Sequence, residues 1–316
     1  MTLVAVARIL LPAGLEPLRE RAEVRVGGLD ADRDHILTTV AGADVVVADP
    51  TVSVDSQLLD AVGEQLRAVA NFAVGVDNVD LDECERRGVV VTNTPDVLTN
   101  ATAELALALT LGAARMLGEA ERDLRAGDWR GWDPAAYRGA ELSGATVGVV
   151  GLGRIGTRYA ELLGGFGVEL LYASRSAKPE QERGLGARRV TLEELLSRSD
   201  VVSLHAPAAA ETMHLIDADA ISAMKAGAIL VNTSRGSLVD IAALATALNE
   251  GRLGAAGLDV YEDEPHVPGE ILDAPRALLA PHIGSATVKA RDAMARTVAE
   301  NVVAVLLDTE PPNRVV

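Results

Sequence analysis

The stretch Thr146-Val147-Gly148-Val149-Val150-Gly151-Leu152-Gly153-Arg154-Ile155-Gly156 decides the fold. Its first five residues form a β-rich apolar run; the rest reads G-x-G-x-x-G and opens a helical pattern through Leu163. In such a turn the first glycine allows the tight bend, the second lets backbone approach a pyrophosphate, and the third lets helix and strand pack closely. The helix N–H groups and dipole then receive the anion. Glycine-rich turns also join strands to helices without a ligand. Here the strand before, the helix after and a second apolar run, Val168 to Ala173, complete a βαβ unit. A dinucleotide site at Gly151, Gly153 and Gly156 is the reading that follows.

A ribose-binding acid is expected at the end of the second strand, about 20 residues past the glycines. The segment Leu171-Tyr172-Ala173-Ser174-Arg175-Ser176-Ala177-Lys178 has none. An acid there accepts from a 2′-hydroxyl and repels a 2′-phosphate, whereas Ser174, Arg175 and Lys178 can donate to that phosphate. The expectation is NADP(H) in preference to NAD(H), with NAD(H) still usable. In the alternative reading Arg175 stacks on adenine and Lys178 is a solvated surface charge.

Outward from the turn, β-rich runs alternate with helical patterns, the signature of parallel sheets. One group of strands is Leu3 to Ile9, Asp44 to Ala48, Arg67 to Asn71 and Val89 to Thr92. A second is Thr146 to Val150, Val168 to Ala173, Val201 to Leu204, Ala228 to Asn232, Ala255 to Val260 and Ala277 to Leu279. Several are continuous apolar runs, as strands buried on both faces require. A long helical pattern, Ala101 to Arg125, lies between the groups, with Thr99 and Asn100 as cap candidates. Its first half is apolar nearly all round, so it must be buried within the subunit or against a partner. A last helix, Ser285 to Leu307, can return to the first group. The fold class expected is α/β: two Rossmann-like or flavodoxin-like domains with parallel sheets, the substrate domain discontinuous over residues 1–98 and 285–316, the dinucleotide-binding domain over 99–284. A hinge is expected near Leu98 to Ala101 and Gly284 to Ser285.

Composition narrows the partners. The 316 residues carry a formal net charge of −17 with no Lys/Arg block, which argues against nucleic acid and anionic membranes. At 48% hydrophobic the chain can fill two cores, and at 3% aromatic Ala, Val and Leu must do the filling. Cys84 alone excludes an intrachain disulfide and reads as a small buried residue. Leu105 to Leu117, the longest apolar contender for a membrane span, is broken by Thr110, Gly112 and Arg115. With no signal-peptide pattern at the start, a soluble cytoplasmic protein is expected. The histidines at 35, 205, 214, 266 and 282 show no metal-ligand spacing, and no G-x-S-x-G elbow is present, so neither a catalytic metal nor an acyl-transfer serine is expected.

Three later segments place charge at strand ends: Asn232-Thr233-Ser234-Arg235-Gly236, Gly257 to Pro265, and Pro281-His282-Ile283-Gly284-Ser285. In an open parallel sheet, ligands bind outside the carboxyl ends of strands. These segments with Asp240, the turn at 151–156, Asn71 to Asn78 and Thr92 to Pro95 resemble the ordered signatures of the D-isomer-specific 2-hydroxyacid dehydrogenases. Ala73-Val74-Gly75, Asn93 to Thr99, Tyr172 to Arg175 and Ala280 to Thr287 are similar to the glyoxylate/hydroxypyruvate reductases among them.

The resemblance implies a catalytic trio of Arg235, Glu264 and His282. A 2-oxo acid needs a hydride and a proton for the developing alkoxide; histidine, which changes charge near neutral pH, is the natural donor. A carboxylate partner favours the imidazolium and fixes the ring. Arginine offers a planar fork to the substrate carboxylate. Singly, each has a duller reading: a surface ion pair, one acid among several, a satisfied strand-end histidine. The resemblance further implies backbone donors to that carboxylate at Val74 and Gly75, otherwise an ordinary turn. It places Asp259 by the nicotinamide carboxamide, otherwise a turn cap, and Arg154, Ile155, Thr233 and Pro207 along the dinucleotide. His205 reads as a buried structural ring beside it. After Pro207 the chain departs from the family's pattern with Ala208-Ala209, and the loop Asp49-Pro50-Thr51 is also atypical. A homodimer through Ala101 to Trp132 is implied, with Trp129 or Trp132 reaching a neighbouring pocket or sealing the contact. The expected activity is reduction of glyoxylate or hydroxypyruvate. The rivals are another D-2-hydroxyacid dehydrogenase, acting on D-3-phosphoglycerate or a branched 2-oxo acid, and a nucleotide-sensing corepressor-like protein.

Overall fold

The computed structural model describes residues 2–316 and divides into two compact units. One takes the chain up to Leu98 together with Ala286–Val316, the other Thr99–Ser285. The first holds strands β1 (Leu3–Val6), β2 (Glu23–Val26), β3 (Val45–Ala48), β4 (Ala68–Asn71) and β5 (Val90–Thr92), in the order β2-β1-β3-β4-β5. The second holds β6 (Thr146–Val150), β7 (Glu169–Ala173), β8 (Arg188–Arg189), β9 (Val201–Leu204), β10 (Ile229–Asn232), β11 (Ala255–Leu258) and β12 (Ala277–Leu279), in the order β12-β11-β10-β9-β6-β7-β8. Every ladder is parallel. The first order is flavodoxin-like; the second contains the Rossmann order with one strand added. In the second sheet the order reverses between β6 and β9, the switch point where a crevice opens.

The central strands are buried residue after residue, as in Val45–Ala48 and Ile229–Asn232, because helices cover both faces. Two strands escape sequence reading. Glu23–Val26 is an edge strand with no buried residue, and Arg188–Arg189 is two exposed arginines continuing the register of β7.

The long helical pattern is two helices, Thr99–Ala114 and Leu117–Ala126, with Met116 at φ +54° between them. Thr99 and Asn100 lie inside the first turn instead of capping it. The break has a tertiary cause: the returning chain donates Ala140 N–H to the Ala114 carbonyl at 2.8 Å, taking the acceptor that the helix would otherwise continue through. The first helix packs inside its own unit. A side chain at Gly257 would stand 3.0 Å from Leu109 Cβ, so strand β11 passes directly beneath it. Tyr159, fully buried in the following helix Arg154–Leu162, bonds Thr110 at 2.9 Å. In the first unit the final helix, Val288–Leu306, is capped by the Thr287 hydroxyl, and Gly14 lies against its Ala295 carbonyl.

Candidate active site

The glycine turn is built for close approach. Gly151, at φ +93°, adopts a conformation that side chains rarely take, and a Cβ there would stand 2.7 Å from the His205 backbone. A Cβ at Gly156 would lie 2.2 Å from the Gly151 carbonyl, whereas at Gly153 the space is open. That open side faces the start of Arg154–Leu162, where Arg154 is exposed and Ile155 half-buried. Two buried polar atoms beside the turn and on the next strand ends lack a partner among the described residues: His205 Nδ1 and Thr233 Oγ1. Buried polar groups are rarely left so without a ligand or water, so these residues fit a bound dinucleotide. His205 is otherwise structural, with Nε2 2.9 Å from Ser203 Oγ and the ring 5.1 Å from that of Tyr159. Burial drives its pKa down to about 3, so the ring is neutral. Pro207 is exposed, its carbonyl accepting from Thr212 Oγ1 at 2.9 Å.

After β7, Arg175 is exposed and Lys178 half-buried. The Ser174 hydroxyl donates to the Ser176 carbonyl at 2.6 Å, so it must rotate before it can donate to a phosphate. Sequence reading missed Arg189, whose Nη2 donates to the carbonyls of Ser174 and Arg175 at 3.0 and 3.1 Å. It also missed Tyr172 Oη, which accepts from the Lys178 N–H at 2.8 Å. No spacing marks either contact; β8 supplies the first by pairing with β7.

At the ends of β10 to β12 the structure assembles the charged cluster. His282 Nδ1 stands 2.6 Å from Glu264 Oε2, and the other carboxylate oxygen accepts from the Tyr261 N–H at 2.9 Å. Burial pushes the Glu264 carboxyl up, but the bonds from His282 and Tyr261 and the charges of His282 and Arg235 outweigh it and hold the group below the ordinary range. Arg235 is half-buried, its carbonyl accepting from Asn232 Nδ2 at 2.8 Å. The next residue must be glycine, because a Cβ at Gly236 would fall 1.9 Å from the Tyr261 carbonyl carbon. That close approach seats the arginine loop against the loop carrying Glu264. Asp240 caps the helix Ile241–Asn249, accepting from Ala242 and Ala243 N–H.

His282 itself sits at φ +53°, a strained choice for a residue with a Cβ. Asp259 holds it there. Its carbonyl accepts the His282 N–H at 2.8 Å, and its two carboxylate oxygens accept from Ile283 and Gly284 N–H, each at 2.7 Å. Of the two sequence readings for this residue, the turn brace describes its bonds; it is 1% exposed, and burial raises its pKa against those two bonds.

In the first unit the loop after β4 is tied by amides. The carbonyls of Ala73, Val74 and Gly75 accept from Thr94 N–H, Asn93 Nδ2 and Asn71 Nδ2, each at 2.8 Å. Asn71 and Asn78 also face each other as a reciprocal amide pair at 3.0 and 3.1 Å, and Asn78 Nδ2 reaches the Asp49 and Val52 carbonyls at 3.1 and 3.0 Å. Val74 and Gly75 thus sit in a fixed loop whose carbonyls point inward. Nothing in the sequence around Asn71 and Asn78 marks this role for either side chain.

Residues 107–284 match the D-isomer specific 2-hydroxyacid dehydrogenase, NAD binding domain. A glyoxylate reductase from Thermococcus kodakarensis is 45% identical over 99% of this chain and 95% of its own length. Among solved structures, a protein from Thermus thermophilus superposes with a TM-score of 0.93 at 43% identity, each chain covered in full. The NADPH-dependent glyoxylate/hydroxypyruvate reductase of Sinorhizobium meliloti, solved with NADP and malonate, gives 0.89 at 37% identity over 99% of this chain and 96% of that one. With its two parallel sheets, its glycine turn and these relatives, the chain belongs to the D-isomer specific 2-hydroxyacid dehydrogenase family.

Proposed function

We propose that the protein reduces a small 2-oxo acid of the glyoxylate or hydroxypyruvate type to the 2-hydroxy acid, with NADPH preferred over NADH. The observation that supports this most is the 2.6 Å pair of His282 Nδ1 and Glu264 Oε2, beside the Arg235 loop. Residues 99–284 serve as the dinucleotide-binding domain and residues 1–98 with 285–316 as the substrate domain. Gly151, Gly153, Arg154, Ile155, Gly156, Pro207 and Thr233 bind the dinucleotide; Ser174, Arg175 and Lys178 receive its 2′-phosphate.

A bound dihydronicotinamide supplies the hydride to the carbonyl carbon. The proton comes from His282 Nε2, the ring nitrogen that Glu264 leaves available. Glu264 stays anionic at neutral pH, stabilises the imidazolium before transfer and keeps the remaining hydrogen on Nδ1 afterwards. Arg235 pairs with the substrate carboxylate and places positive charge beside the oxygen as it becomes negative. Val74 and Gly75 contribute backbone N–H groups as carboxylate donors.

The test is absorbance loss of NADPH, and separately of NADH, with glyoxylate, hydroxypyruvate, pyruvate and 2-oxoisocaproate. Fast NADPH oxidation with the first two is expected. Turnover confined to the branched acid would move the substrate; none at all, despite tight NADPH binding, would make this a sensing protein. The exposed Leu117 and Leu124 on the helix Leu117–Ala126, with the exposed Trp129 and Trp132 in the loop that follows, support a homodimer through Ala101 to Trp132, since large apolar side chains grouped in one segment suit a cover by a second copy. Light scattering giving the mass of one chain would refute that.

A further inference from the structure

The acid absent from the end of β7 has a counterpart on another loop. Arg175 Nη1 stands 3.5 Å from Glu211 Oε1, in an ion pair whose side chains are 86% and 61% exposed. Arg175 follows β7 and Glu211 follows β9, and these strands flank β6 on either side. The pair therefore reaches across the strand that ends in the glycine turn, at the mouth of the switch-point crevice.

Both ends are held. Arg189 fastens the Ser174 and Arg175 carbonyls, and Tyr172 fastens Lys178. Opposite, Thr212 Oγ1 donates to the Pro207 carbonyl at 2.9 Å and accepts from Ala209 N–H at 2.8 Å, tightening the short turn Ala210–Thr212 that presents Glu211. This is the stretch where the sequence departs from its family's pattern at Ala208-Ala209.

From this geometry we infer that Glu211 determines cofactor specificity by limiting the preference for a 2′-phosphorylated dinucleotide. The inference rests on the proposed 2′-phosphate site at Ser174, Arg175 and Lys178. A phosphate arriving there competes with the carboxylate for the Arg175 guanidinium and is repelled by its charge. An unphosphorylated ribose meets neither obstacle, and its 2′-hydroxyl can donate to the same carboxylate. The residue thus does from across the crevice part of what a strand-end acid does in NAD-binding folds.

The experiment is calorimetric titration of adenosine 2′,5′-bisphosphate and of 5′-AMP into the whole protein, wild type, Glu211→Gln and Arg175→Met. Glu211→Gln should tighten the bisphosphate by about three- to tenfold at low salt, the size expected for one exposed charge near 4 Å, and leave 5′-AMP within about twofold. The gain should shrink at high ionic strength, where exposed charges are screened. An unchanged ratio of the two ligands overturns the inference, as does equal weakening of both, which would make Glu211 only a support for Arg175. Arg175→Met separates the two layers. If it weakens the bisphosphate while Glu211→Gln leaves the ratio alone, only the role of Glu211 fails. If it leaves the bisphosphate untouched, the phosphate site fails and Glu211 with it.

Discussion

The loops at the carboxyl ends of the two sheets are organised by opposite means. In the first unit the Ala73–Gly75 loop is held by neutral amides: Asn71, Asn78 and Asn93. In the second, ionisable groups do the holding: Glu264 fixes His282, and Asp259 braces the turn on which His282 stands. A neutral network gives geometry that does not change with pH, suited to presenting backbone donors. A charged one can lose or gain a proton during the reaction. Under the proposed function, binding and proton transfer fall to these different kinds of interaction, and substitutions should separate them.

The largest effect is expected from His282→Ala. Losing a positioned proton donor costs typically 10²- to 10⁴-fold in turnover, and dinucleotide affinity should stay within about twofold because none of the glycine-turn contacts is touched. Steady-state kinetics with a parallel binding titration checks both. If turnover falls less than tenfold, the charged loop is not where the proton comes from, and the contrast between the loops loses its chemical meaning.

Acid should distinguish the charged unit next. His205 in the fold has its pKa lowered to about 3 by burial, against 6.5 when unfolded. Between those values the unfolded chain binds a proton that the folded one does not, so stability falls as pH drops from about 6.5 toward 3. The slope from this group is about 1.4 kcal/mol per pH unit. Glu264 adds in the same direction: its depressed pKa gives stability that is present above the ordinary carboxylate range and lost as pH falls through the folded value. Urea unfolding followed from pH 7.5 to 5 should show a steeper decline in wild type than in His205→Gln. Equal slopes would mean that the ring takes up its proton in the fold over the same pH range as in the unfolded chain.

How much of this was legible follows from the kind of signal each part leaves. Strands buried on both faces leave a run of apolar residues, so Val45–Ala48 and Ile229–Asn232 were readable. Glu23–Val26 leaves none, because in this edge strand only Val24 and Val26 are apolar and each is no more than half-buried. Neither does the break at Met116, which is imposed by Ala140, distant in sequence. The glycine turn and the charged trio were readable because their residue types are unusual at strand ends and their order resembles a family. Asn71 and Asn78 were not: asparagine is common in loops, and only the fold shows that the two amides face each other. Arg189 and Glu211 look like any surface charge until the sheet order brings them to the residues after β7.

The amide network supplies the smallest and most discriminating test. Asn71 has no solvent exposure and donates both to the Gly75 carbonyl and to Asn78. In Asn71→Asp the side chain keeps its size but an ionised carboxylate has no hydrogen to give, so the Gly75 carbonyl loses its partner and the reciprocal pair faces oxygen against oxygen. A lost hydrogen bond of this kind costs about 1 kcal/mol, and more when a buried acceptor is left bare, so KM for the 2-oxo acid should rise roughly tenfold. Dinucleotide affinity and the pH profile of kcat should not move, because the loop carries no proton. Asn93→Ala, which releases only the Val74 carbonyl, should give a smaller rise in the same parameter and guards against simple misfolding of the first variant. A fall in kcat with KM unchanged would mean that the neutral loop acts on the chemical step, and the division between a binding loop and a chemical loop would not hold.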